Sequence, residues 1–255
     1  AKFICRKLYR YFVYYYIDNT IENNIITPLS NIFIANNYEI KPVLKTLLSS
    51  EHFYDTLYIG CQIKSPVDHV ITFLRQYEII FPNAITDYTD SYFLHNYMVN
   101  QLISMGQNPV DPPNVSGWPA YYQTPDYNKL WINADTLPKR NKFTDLMIET
   151  GYTRNGKKVI VNTIQFAKNV CPNPSDPNVL IESVFSFLVS TEIDASLKAN
   201  LKKQILLSGQ TSDYYWTDAW NAYTSSPTTI NYNTVHTRLK SLLKYIMNLP
   251  DYQLQ

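Results

Sequence analysis

The chain has 255 residues, 45% apolar and 17% charged, with a net charge of +1. That balance is globular and excludes wholesale disorder or a charge-rich coiled coil. So small a charge, with no Lys/Arg block interleaved with aromatics, gives no electrostatic ground for binding nucleic acid, and the longest apolar runs, such as FVYYYI, fall short of a bilayer span.

A single domain of this length is ordinary. Its expected architecture is all-α: a multi-helix globular domain with one small β-hairpin near 152–162. The first residues, AKFICRKLYRYFVYYY, run at helical period, with Ile4, Leu8, Tyr11, Phe12 and Tyr15 on one face and Lys2, Arg6 and Arg10 forming a basic, solvated stripe. No capping residue precedes this helix, so the chain is expected to begin inside a longer protein, whose N-terminal region would pack on the tyrosines at 11, 14 and 15.

KSPVDHVITFLRQYEI has Ser65 as N-cap, Pro66 in the first turn and Asp68 at the capping-box position. Val67, Val70, Ile71, Leu74 and Tyr77 supply its apolar face, which leaves His69, Thr72 and Arg75 toward solvent. The next helix starts near Thr89 or Asp90, carries Leu94, Tyr97, Met98, Leu102 and Met105, and stops at Gly106. In YTRNGKKVIV, Asn155-Gly156 suits a tight hairpin turn before a β-branched run.

The stretch 150–178 clusters Pro and Asn and is the best candidate for a boundary between two lobes. Beyond it, Leu180, Val184, Phe187 and Leu188 mark one helix. Leu197, Leu201 and Ile205 mark another, capped by Asp194 and stopped at Gly209. The last helix has Val235, Leu239, Leu242, Leu243 and Ile246 at three- and four-residue spacing before Pro250.

Cys5, Cys61 and Cys171 are odd in number and widely spaced, which points to free, buried thiols rather than a disulfide framework or zinc knuckle. The histidines at 52, 69, 95 and 236 lack metal-binding spacing, so no metal is expected. A phosphate loop, a dinucleotide fingerprint and a nucleophile elbow are all missing, and no cofactor is expected. The abundant tyrosines, with Asn, Ile and Lys, share AT-rich codons and read as genomic bias.

The candidate site is the aperiodic stretch from Met105 to Trp131. Asp111, Asn114, Asp126 and Asn128 offer acceptors and amides, and Trp118, Tyr121, Tyr122, Tyr127 and Trp131 offer flat faces with polar edges, the mixture a sugar would use. Trp118, set in extended backbone before Pro119, is expected to plug the core, leaving Tyr121, Tyr122 and Tyr127 at the surface. Asp111 and Asp126 are the candidate acid and base of a hydrolase, a role that needs both carboxyls in one pocket.

The run GQNPVDPPNVSGWP, then Trp131-Ile132-Asn133 and Arg140-Asn141, resembles the signature of the bacterial family called domain of unknown function 1800. RKLYRYF at 6–12, LKTLLSSEHFYD at 44–55, IKSPVDHVITFLR at 63–75 and LPDYQLQ at 249–255 agree in order. The resemblance implies the C-terminal portion of a longer member, exported to the periplasm or cell surface. The family name carries no activity, and the leading reading is a non-catalytic scaffold or binding module of the envelope, toward glycan or an envelope protein. The alternative is a hydrolase of envelope polysaccharide. No catalytic residue follows from the resemblance.

Overall fold

The computed structural model describes residues 1–115, 117, 118 and 127–255. Among these, helices dominate and one two-stranded antiparallel hairpin is present, so the all-α expectation holds. The chain divides into two compact units, one of residues 1–63 with 112–131 and 255, the other of 64–111 with 132–254. The 150–178 stretch lies wholly inside the second.

In the first unit, α1 (Lys2–Phe12) has no side-chain cap. Its core stripe is Cys5, Tyr9 and Val13, not the expected Ile4, Leu8 and Tyr11, and Tyr11 is 55% exposed. The helix is turned by one residue because polar partners select the buried face. Tyr9 Oη lies 3.0 Å from His52 Nε2, and Cys61 donates to the Val13 carbonyl. Ile4, Leu8 and Phe12 flank the stripe, partly buried.

The basic stripe is not simply solvated either. Arg6 grips both oxygens of Glu22, at 2.9 and 2.7 Å, and Lys2 lies 3.4 Å from the same carboxylate. Glu22 opens a π turn (Glu22–Ile26) between α2 (Asn19–Ile21) and α3 (Thr27–Ala35). Helix α4 (Ile40–Leu48) closes this core with Val43 and Leu47.

The second unit opens with α5 (Pro66–Gln76), whose capping box forms as expected. Its buried face is Pro66, His69, Val70 and Phe73. His69 is thus a core residue and not a solvent-facing one, while Ile71, expected in the core, is 39% exposed. Helix α6 (Tyr88–Ser104) buries Leu94, Met98 and Leu102, and Tyr97 stacks on Tyr152 at 3.7 Å.

Helix α7 (Thr136–Glu149) leads to the hairpin β1 (Tyr152–Arg154) and β2 (Lys157–Val159), paired in the register Tyr152 to Val159. Asn155 and Gly156 turn it with φ of 47° and 78°, the double left-handed geometry that Asn-Gly tolerates. Helix α8 (Thr163–Val170) follows, and then α9 (Pro177–Leu188). In α9, Leu180, Val184 and Leu188 are buried as expected, but Phe187 is 46% exposed and Phe185 takes its place in the core.

Asp194 caps α10 (Ala195–Leu201), which runs into a π turn at Lys202–Leu206. In α11 (Tyr214–Ser225), fully buried Trp216 donates its indole N–H to the Pro174 carbonyl at 2.8 Å. The Pro/Asn-rich segment is thereby tied into the core. Helix α12 (Thr229–Asn248) packs against α7, α8, α9 and α11. All five of its expected core residues are buried, each contributing about 1.5–3 kcal/mol.

Candidate functional site

The aperiodic stretch begins where α6 ends. Gly106 takes φ of 96°, and the N–H groups of Gly106 and Gln107 bond back to the Ile103 and Leu102 carbonyls at 3.0 Å each. Gln107 Oε1 then accepts the Val67 N–H at 2.9 Å. That N–H belongs to the first turn of α5, where no helical carbonyl is available. Ser65 and Asp68 satisfy the neighbouring groups, so the glutamine completes the cap of a distant helix.

Of the expected ligand-binding residues, Asp111 is exposed, in the second unit, and its N–H bonds to the Asn108 carbonyl. Asn114 and Trp118 belong to the first unit, where the Asn114 carbonyl accepts the Gly117 N–H at 3.0 Å. Trp118 is partly exposed, and the buried plug is Trp131, 3% exposed, at the end of the 3-10 turn Tyr127–Trp131. The two rings are 6.5 Å apart and tilted by 57°. With Trp131 holding the buried place, Trp118 packs at its edge. Tyr121, Tyr122, Asp126 and the side chain of Tyr127 lie outside the described residues, and with them the separation of the two candidate carboxylates.

A second constellation, within the second unit, has no counterpart in the expected site. Lys64, His69, Arg140 and Gln253 are all 5% exposed or less. Lys64 Nζ donates to the Tyr252 carbonyl at 2.7 Å and sits 4.4 Å over the Tyr252 ring. Arg140 Nη2 donates to the Lys64 carbonyl at 2.7 Å, and Nη1 lies 3.4 Å from Gln253 Oε1. The Lys64 N–H and Gln253 carbonyl pair at 2.8 Å. His69 packs edge-on against Phe143 and Tyr252, and neither ring nitrogen makes a well-formed hydrogen bond.

Burial dominates the electrostatics. It lowers the Lys64 ammonium to about 8, helped by Arg140 and opposed by Asp68. Arg140 falls to about 10 for the same reason. His69 is held well below its ordinary value by burial, then by the charges of Arg140 and Lys64, while the Arg140 main chain works the other way. The ring is neutral at pH 7. Among the described residues no group of three or more His, Cys, Asp or Glu side chains is arranged to hold a metal, and no helix is long and apolar enough to cross a membrane.

The family model described as protein of unknown function, DUF1800, matches residues 1–254. The chain belongs to DUF1800. No curated protein and no solved structure matches it. In this DUF1800 chain, three of the motif residues that can be placed have architectural tasks. Gln107 caps α5, Trp131 fills the interior, and Arg140 ties the entrance of α5 to the segment after α12. The helix phase set by Ser65-Pro66 marks 66, 69, 70, 73 and 77 as one face, a signal sufficient to find His69. Lys64 and Gln253 carry no such signal, since Lys64 bonds a carbonyl 188 residues away and Gln253 reaches a side chain 113 residues away.

Proposed function

We propose that this DUF1800 segment is a non-catalytic scaffold that presents a glycan-binding surface at the cell envelope, in the periplasm or on the cell surface. One observation carries this reading. Gln107, Trp131 and Arg140 are each committed to holding the chain together, while Trp118, in the same motif, keeps part of its ring exposed. A partly exposed indole, four residues after exposed Asn114, offers a flat apolar face with a polar edge, which suits a sugar ring. The remaining expected ligand-binding residues, Asp111, Tyr121, Tyr122, Tyr127 and Trp131, enter this reading from the sequence alone.

The test is binding of solubilised envelope glycan to the purified chain, by calorimetry, beside Trp118→Ala. The variant is expected to lose about tenfold or more in affinity, as a truncated aromatic contact does. Its melting temperature should change little. Unchanged affinity rejects the surface. Release of reducing ends, abolished by Asp111→Asn or Asp126→Asn, establishes the hydrolase in its place.

A further inference from the structure

A cleft of about 360 Å³ opens in the second unit where the end of α5 meets β2, α8 and the end of α9. Its size is that of a small-molecule site. Tyr77 and Phe166, both buried and 4.5 Å apart, form the floor. Phe187, 5.8 Å from Phe166, extends that aromatic surface into solvent.

One wall is a relay of planar polar groups. Gln165 Nε2 donates to Asn169 Oδ1 at 2.7 Å, and Asn169 Nδ2 donates to Glu78 Oε2 at 2.9 Å. Each group is therefore held in orientation. Among the described residues, Gln165 Oε1 and Glu78 Oε1 receive no hydrogen bond, which leaves two oriented acceptors on the rim. Gln76, also lining the cleft, is fixed between the Phe187 carbonyl and the Tyr252 hydroxyl.

Glu78 is also misplaced by backbone criteria. It follows the C-cap of α5 with φ of 48°, and the Glu78 and Ile79 N–H groups bond back to Arg75 and Leu74 at 3.2 and 2.9 Å. Helix endings of this kind favour Gly, because a side chain is strained there. Its carboxylate ends the polar relay.

We propose that this cleft is a carbohydrate site, separate from the 105–131 stretch and independent of it, that takes one pyranose ring of a neutral glycan. The ring's C–H face packs on Phe187, and adjacent hydroxyls donate to Glu78 and Gln165. Glu78 and Lys158 give the lining one charge of each sign, so no net field draws a phosphate. The amide rim makes the site too polar for a purely apolar ligand.

The experiment is ligand-detected NMR on the full chain with glucose, N-acetylglucosamine, cellotriose and chitotriose. At least one probe is expected to bind. Binding of the monosaccharide indicates recognition of a chain end or free sugar, and binding of the trisaccharide alone indicates recognition within a glycan. Glu78→Gly is expected to weaken binding about tenfold, the loss of one charge-assisted hydrogen bond, with a melting temperature equal to or above that of the parent. Phe187→Ala is expected to weaken binding similarly, while Trp118→Ala leaves it unchanged. Absence of binding by all four probes at about 10 mM, where millimolar affinity is visible, overturns the proposal. So does binding that survives both Glu78→Gly and Phe187→Ala.

Discussion

His69 and Lys64 are two basic residues placed where charge is costly, and each leaves a pH signature of known sign. The folded pKa of His69 lies well below its ordinary 6.5, so its contribution to stability is present above pH 6.5. It is lost on acidification, as the unfolded chain takes up a proton that the folded one refuses. His69→Phe, which matches the aromatic neighbours Phe143 and Tyr252, is expected to reduce the stability lost between pH 7 and 5 by up to about 2 kcal/mol. Urea denaturation at both pH values measures it, and an unchanged loss contradicts a neutral buried imidazole. Lys64, lowered to about 8 from 10.5, gives stability that is complete only above 10.5 and is lost as pH falls through 8. The stability difference between the parent and Lys64→Met should therefore move toward the parent by about 2 kcal/mol from pH 7.5 to 9.5. A pH-independent difference counts against a buried, titrating ammonium.

Helix existence and turn chemistry were the legible part of this chain, and rotation about the helix axis was the less legible part. The hairpin, the capping box of α5 and the core face of α12 follow from residues close in sequence. In α1 the buried stripe is displaced because Tyr9 and Cys61 find their partners on other elements, whereas in α5 the cap phase, and in α9 the 180, 181, 184, 185, 188 spacing, already mark His69 and Phe185 for the core. The cleft at Glu78 was equally hidden, since its walls come from elements up to 111 residues apart. Two element-scale predictions follow from geometry. Gly151 has φ of 65°, and a Cβ there collides with the Val159 carbonyl and with Ile160, so Gly151→Ala is expected to cost about 2 kcal/mol or more. Gln107→Ala uncovers the Val67 N–H and should cost about 1–2 kcal/mol. Thermal denaturation monitored by circular dichroism checks both, and a neutral Gln107→Ala removes the proposed capping role.

Taken over the whole molecule, the titrating groups oppose one another. His52, His69 and His236 are all held below their ordinary values by burial, which favours pH above 6.5. Burial pushes the Cys5 and Cys61 thiols and the Tyr9, Tyr77 and Tyr252 hydroxyls upward, and the stability they confer is lost as pH climbs past about 9–10. Lys64 adds stability up to pH 10.5 against that loss, so the melting temperature is expected to peak between about pH 8 and 10, just above an isoelectric point near 7.8, where low net charge promotes association. A peak at pH 6 or below in a thermal-shift series contradicts this balance.

The pairing of Lys64 with Tyr252 also bears on how the protein is made. The bond joins residues 188 positions apart, and it neighbours the main-chain link from Lys64 to Gln253. Contacts of such long range form late, because a large loop must close before they return any energy. During synthesis, α5 leaves the ribosome long before its partner strand of chain exists. The buried cation therefore waits in water until residues 252 and 253 emerge, and the second unit can complete its fold only once they have been made.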